Sequence, residues 1–384
     1  MDQTRIPDDL RERIGALLVA RFDHHRSHGG AAAEQYRLAK RLQRAQYSLS
    51  RPRLYIDTNH WIRLRDVLLG RPRGAADTRL LELLRTITRG RLLTVPLSSH
   101  LIQELCYQTD LTTLRATAAL MDELSQGVTL AGFRDRTVLE LLHWIRAIAE
   151  RGAPLPVLLV WTTVPNIFQL QFADIGNQDP HLRNSFSNAY EDVAESIRLS
   201  DLIGRLAAVT HGADRQLEID LAVELTRHKE TIWATQGGLA SVFQEEAVGY
   251  LEKVLPYLDG PTSDELRKLP GAAELEGEAL VRNAKIAFLA ANDLKLAKTA
   301  LPGLRIMAGC NALIRCDTRR RFKQGDQVDL QHAAAALPYC TAYLTDRPMQ
   351  HLLTSSPYSL AALYDCEVLS TAEEAIRHLN CLVA

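Results

Sequence analysis

The sequence has no excess of charge of either sign: 45 Lys+Arg stand against 46 Asp+Glu, a formal net charge of −1. No global basic field therefore announces a large non-specific nucleic-acid binder, although a local groove is not excluded. It also has few cysteines, six in 384 residues. Cys106, Cys310, Cys316, Cys340, Cys366 and Cys381 form no CxxC pair and no regular spacing. That argues against a disulfide framework or a zinc cluster and for buried, reduced thiols in a cytoplasmic protein. No stretch approaches the ~18 uninterrupted apolar residues of a membrane span. The start, Met1-Asp2-Gln3, has no apolar signal core, so neither secretion nor membrane insertion is expected.

What is there is a short apolar run, Leu54-Tyr55-Ile56, that stops at Asp57-Thr58-Asn59 and gives way to an apolar-periodic segment from Trp61. Such a run reads as a strand buried in a parallel sheet. Asp57 then stands at the carboxyl end of a strand, where open α/β sheets place their chemistry. The competing reading is that Asp57 or Thr58 only caps the next helix. The stretch alone does not decide between them.

Before it, helices are expected over 8–22 and 31–47, joined by Asp23-His24-His25-Arg26-Ser27-His28-Gly29-Gly30. Three clustered histidines suggest a metal, but no separate ligand set accompanies them and the glycines mark a solvated loop. Residues 1–53 hold eleven Lys+Arg against six Asp+Glu, so this arm could touch a nucleic-acid backbone, or simply present a solvated face. After Asp57 come helices to Leu69 and Arg89, a second short strand candidate at Leu92–Pro96, and a helix capped by Ser98 or Ser99 that carries Glu104. The order strand, helices, strand, helix is an α/β opening.

From 108 to 303 helical periodicity dominates, over 111–124, 137–150, 189–209, 218–233, 239–255 and 276–298. This reads as an all-helical insertion with no internal repeat. Its Asp174, Asp179, His181, His211 and His228 form no motif and are taken as structural or solvated. The α/β pattern returns at 304, with a helix over 304–316 and the basic stretch Arg315, Arg319, Arg320, Arg321, Lys323. Asp326 is a natural cap for the alanine-rich helix that follows, and Asp329 falls in its first turn. Ala342-Tyr343-Leu344 reads as a strand ending at Thr345-Asp346, and Glu367-Val368-Leu369 as another, before a capping-box helix at Thr371–Glu374.

Four acids thus stand at strand ends or helix starts: Asp57, Glu104, Asp329 and Asp346. If the strands are parallel in one sheet, these positions share one edge. Crowded carboxylates repel, and a hard divalent cation such as Mg²⁺ or Mn²⁺ relieves that. A cation so held suits phosphodiester hydrolysis.

Ile56-Asp57-Thr58-Asn59, Ser98/Ser99 with Glu104, Asp329-Leu330-Gln331-His332-Ala333-Ala334 and Leu344-Thr345-Asp346 together resemble the ordered signature of PIN-domain nucleases. The resemblance covers 51–107 and 304–384, leaving 1–50 as an N-terminal helical arm and 108–303 as the insertion. It implies a parallel sheet flanked by helices and a Mg²⁺- or Mn²⁺-dependent ribonuclease that leaves a 5′-phosphate and a 3′-hydroxyl. It also implies Asp57, Glu104, Asp329 and Asp346 as metal ligands, with Thr58, Asn59 and Thr345 orienting them. Asp326 is a helix cap or a further ligand. His332 could face the substrate but reads better as a partly buried helix residue. Arg347 departs from the acidic or polar residue often found there and could meet a phosphate, as could Arg319, Arg320, Arg321 and Lys323.

The expected function is an endoribonuclease of single-stranded RNA, toxin-like or defence-related, with a regulatory protein or self-association acting through the insertion. The alternatives are an inactive PIN-like binding module, a DNA-directed nuclease on the same fold, and a phosphatase. The last is disfavoured because Asp57 lacks the second acid of an Asp-x-Asp pair.

Overall fold

The computed structural model describes residues 8–28, 31–150, 159–167, 179–210, 220–227, 229, 238–254, 301–355 and 359–383. Helices α1 (Asp8–Ser27) and α2 (Ala33–Leu49) precede strand β1 (Leu54–Ile56), which leads to α3 (Thr58–Leu68), α4 (Ala75–Arg89), α5 (Ser99–Cys106) and α6 (Leu111–Ser125). Next come β2 (Thr129–Leu130), α7 (Phe133–Glu150), β3 (Trp161–Thr162), α8 (Val164–Ile167), α9 (Pro180–Ala194), α10 (Leu199–Thr210) and α11 (Leu239–Val254). The last elements are α12 (Pro302–Cys316), α13 (Asp326–Ala336), β4 (Ala342–Leu344), α14 (Arg347–Thr354), α15 (Leu360–Leu363), β5 (Glu367–Leu369) and α16 (Ala372–Val383). The protein is mostly helical with a small parallel sheet, broadly α/β. No helix among the described residues is long and apolar enough to cross a membrane. All six cysteines are free, and only Cys381 is exposed.

The chain forms two compact units. One takes Met1–Pro52, Trp61–Gly132 and Leu158–His211, the other Arg53–His60, Phe133–Val157 and Gly212–Ala384. Neither follows the sequence segments, because 108–303 contributes to both.

In the first unit α1 packs along α9, and α6 along α10. The histidine segment is not a loop. α1 continues through His24 and His25 to Ser27, and His25 is buried with its Nε2 3.1 Å from the Asp192 carboxylate. A buried acid gives the imidazole a partner, which a sequence window cannot reveal. The single helix expected over 189–209 is two, because Asp122 accepts the Leu199 and Ser200 amides at 2.8 Å and so starts α10 afresh. Leu92–Pro96 is not a strand. Only Thr94 bridges, donating to the Pro52 carbonyl, Leu92 is exposed, and Pro96 has no N–H to give a ladder. The 108–303 range is not wholly helical either, since β2 and β3 pair antiparallel, Leu130 opposite Trp161. Asp179 caps α9 by accepting the His181 amide. The helix expected over 276–298 and most of that over 218–233, like Asp174, His211 and His228, lie outside the described residues.

The second unit holds the sheet, ordered β1-β4-β5, with every pairing parallel. Register sets Ile56 beside Leu344 and Leu344 beside Leu369, so the three strands end level. Their residues are buried except Glu367, as a sheet covered on both faces requires. The ladder runs one residue past the strands: the Asp57 amide donates to the Leu344 carbonyl at 2.9 Å and the Thr345 amide to the Leu369 carbonyl at 2.8 Å. Ala333 to Ala336 are fully buried on α13, which contacts β4; methyl side chains let helix and sheet approach closely. α12 is buried along most of its length, and its N-terminus is met by Glu140 of α7, which accepts the Gly303 amide at 2.9 Å and the Tyr339 hydroxyl at 2.5 Å. A Cβ on Gly303 would lie 3.1 Å from both Glu140 oxygens, so glycine permits this approach. The Thr371–Glu374 capping box forms in both directions.

Candidate functional site

The site grows from the level strand ends of the second unit. At Asp57 the chain passes from strand to helix: its amide is still in the ladder, while its carbonyl already accepts the His60 amide at 3.0 Å. Thr58 and Asn59 are thus helical residues of α3, and the flanking capping position belongs to Asp57, not to them. The Asp57 side chain is 4% exposed, and the Thr345 hydroxyl donates to its Oδ2 at 2.9 Å. Thr345 is itself fixed, because His60 Nε2 lies 2.9 Å from its carbonyl oxygen. A carbonyl only accepts, so that nitrogen carries the proton.

His332 is wholly buried, not partly as the sequence suggests. Its Nδ1 lies 2.7 Å from the Tyr55 hydroxyl, and a ring nitrogen lies within 4.8 Å of an Asp57 carboxylate oxygen. Tyr55 in turn meets Tyr343 edge to face, with ring centroids 5.6 Å apart. Burial, and next the Asp57 carboxylate, push the Tyr343 phenol well above its ordinary range. It stays neutral beside the acid.

Asp329 lies one helical turn before His332, half-buried, and belongs to a neighbouring cavity of about 490 Å³. That cavity is lined by Asp326, Asp329, Asp346, Arg320, Lys323 and His351, among others. Asp326 is not the helix cap. Gly325, at φ 91°, holds that position, and Asp326 turns back to accept the Lys323 amide at 2.8 Å and Arg320 at 3.1 Å. Both its oxygens are engaged, which leaves it ill suited to a metal. Asp346 does cap a helix: its Oδ1 accepts the Met349 amide at 2.8 Å at the start of α14. Arg347 follows it, exposed. Asp329 and Asp346 do not join the group in which Asp57 and His332 lie within 4.8 Å.

Glu104 belongs to the first unit, half-buried on α5. Ser98 caps that helix, its Oγ accepting the Leu101 amide at 3.3 Å. Of the basic residues, Arg319, Arg321 and Lys323 are exposed and Arg320 is turned inward to Asp326.

A buried carboxylate and an imidazole nitrogen at this separation can share one cation. The donor pair fits a divalent first-row ion. Carboxylate oxygen suits Mg²⁺ and Mn²⁺ alike, but the nitrogen donor favours Mn²⁺ over Mg²⁺. Sequence reasoning passed over Tyr55. It weighed His332 as facing the substrate but preferred a partly buried helix residue, although the i, i+3 spacing from Asp329 puts His332 on the same face of α13. Comparison with protein-family models, with curated proteins and with solved structures finds no match.

Proposed function

We propose that the protein is a metal-dependent endoribonuclease with a PIN-like catalytic unit, cutting phosphodiester bonds of single-stranded RNA. The observation that carries this is the buried Asp57 beside His332 at the carboxyl edge of a parallel sheet. That edge is where α/β sheets gather their chemistry. The adjoining cavity adds Asp329 and Asp346. Asp57 and His332 would hold Mn²⁺ or Mg²⁺, which when bound activates water and offsets charge on the phosphoryl group. The remaining roles fall to the chain. Thr345 holds one Asp57 oxygen, and with it the direction of the other. Tyr55 fixes the His332 ring. Asp346 has one oxygen committed to the α14 cap and a second that can meet water. Lys323, exposed at the same cavity, attracts the phosphate. Glu104, an acid on a helix capped by Ser98 and matched by the resemblance to PIN nucleases, is tested separately by Glu104→Gln.

The experiment is cleavage of single-stranded RNA by the purified protein with Mn²⁺ or Mg²⁺. Activity is expected in Mn²⁺, with 5′-phosphate products, and none in Asp57→Asn of unchanged fold. Equal cleavage by both proteins, or full activity in a chelator, overturns the reading. RNA bound but never cut would point to the inactive binding module. Growth arrest by the wild-type chain, relieved in Asp57→Asn, would extend the reading to a toxin-like or defence enzyme.

A further inference from the structure

The cleavage reading uses only Lys323 of the basic stretch after α12, which has an organisation of its own. Along Arg319-Arg320-Arg321-Phe322-Lys323 exposure alternates: Arg319, Arg321 and Lys323 are exposed, Arg320 is turned inward, and Phe322 is buried. The inward residues are anchors. Arg320 reaches Asp326 at 3.1 Å, and Phe322 lies beneath the guanidinium of Arg315, 5.9 Å from its ring centroid. Arg315 is itself buried and paired with Glu246 of α11.

The backbone of this stretch is tied at both ends. The Lys229 ammonium, on a buried residue, donates to the carbonyls of Ile314 at 2.9 Å, Asp317 at 2.5 Å and Arg320. One cation so gathers the end of α12 and the loop that leaves it, where carbonyls carry the negative end of the helix dipole. At that same end the Asp317 carboxylate takes the Arg319 amide at 2.9 Å, and at the other end Asp326 takes the Lys323 amide. Three outward cations stand on a fixed frame with no ion pair of their own among the described residues, and one of them, Lys323, lines the cavity that holds Asp329 and Asp346. Fixing the frame in advance removes ordering entropy that binding would otherwise have to overcome.

We propose that residues 317–325 form a preshaped contact for the phosphodiester backbone of a single strand, and that Lys229 is the positioning residue that sets its shape. This rests on the nuclease reading of the same cavity. A neutral side chain at 229 releases three carbonyls, and the cations lose their common frame.

The test is binding of a fluorescein-labelled oligouridine to the full chain in EDTA, where no cleavage occurs, over a range of salt. Lys229→Met is expected to weaken binding about tenfold, raise KM with kcat little changed, and abolish hydrogen-exchange protection of the 317–325 amides. Should Lys229→Met fail to fold, the surface variant Arg319→Ala/Arg321→Ala/Lys323→Ala reads the same contact. It should flatten the log–log salt dependence by about 2, from ~0.7 per phosphate contact on a single strand. Wild-type binding and salt slope in the triple variant overturn the proposal. So does a folded Lys229→Met with wild-type KM. If those variants bind and cleave as wild type does, the nuclease reading stands without the loop. If they lose binding in a protein that never cleaves, the loop contact stands and the nuclease reading falls.

Discussion

Three acids of the first unit and three of the second are held in different ways. In the first, Asp192, Asp66 and Glu123 face cations. Asp192 accepts Tyr36 at 2.6 Å and lies 3.0 Å from Lys40 and 3.1 Å from His25. Asp66 is shared by Arg65 and Arg73, and Glu123 by Arg85 and Arg89. Burial pushes the Asp192 carboxyl up, but these hydrogen bonds outweigh it and hold it below the usual range. In the second unit Asp57 is bonded by a hydroxyl, Asp346 by a backbone amide, and Glu140 by a tyrosine and a glycine amide. Carboxylates paired with arginine serve the scaffold, and Asp326 of the second unit joins them through Arg320. A carboxylate oriented by neutral donors is structural where it starts a helix, as Asp122 does, and becomes a candidate for chemistry where it stands at a strand end, as Asp57 does.

Substitution at one acid from each unit should break the symmetry most clearly. Asp57→Asn should lower RNA cleavage by more than ~100-fold while leaving the thermal midpoint within a few degrees, since the isosteric amide still accepts the Thr345 hydroxyl. A large fall in melting temperature with the lost activity would make Asp57 structural after all. Asp192→Ala should do the reverse, losing about 2 kcal/mol in urea unfolding because Tyr36 and His25 lose this acceptor, while Lys40 keeps Glu195. Its effect should depend on pH with a definite sign. A depressed carboxyl contributes stability above its unfolded pKa of about 4, and that contribution fades as pH falls through the lower folded value. The gap between wild type and variant should therefore close in acid, and a gap independent of pH would count against the assignment.

At Asp346 the two roles can be separated. Alanine removes the α14 cap, about 1 kcal/mol, whereas asparagine keeps the cap and removes the charge. Asp346→Asn should then fold like wild type and cleave poorly; normal cleavage would restrict Asp346 to capping. The smallest effect is expected at Glu140. Burial raises its carboxyl, against the Tyr339 hydrogen bond, Arg136 and the Gly303 amide, which lower it. A raised folded value means that stability declines as pH rises from about 4.3 toward that value. Glu140→Gln should remove this part of the slope in unfolding experiments from pH 4 to 8, and an unchanged slope would show that Glu140 is ionised at little penalty.

Much of the second unit was legible as sequence. The strands at 54–56, 342–344 and 367–369, the alanine helix and the last capping box follow from short-range pattern, because apolar runs, small side chains and Thr-x-x-Glu act within a few residues. What misled was context supplied from far away. His25 reads as a loop residue until Asp192, 167 positions on, is beside it. Leu92–Pro96 has a strand's composition, but only Thr94 finds a partner, the Pro52 carbonyl. Asp326 has the identity of a cap, yet a glycine at positive φ takes the position and frees the acid to close a loop.

By itself the sequence determined where strands stop and helices start, and so which acids stand at such boundaries. It did so because propensity, capping and periodicity are local. Only the tertiary structure decided which of those acids share surroundings. Parallel pairing of β1 with β4 carries Thr345 across 288 positions to the Asp57 carboxylate, and packing of α13 brings a His332 ring nitrogen within 4.8 Å of it. Register and packing between distant segments are set by the burial of whole faces, a sum over the fold that no window of residues contains.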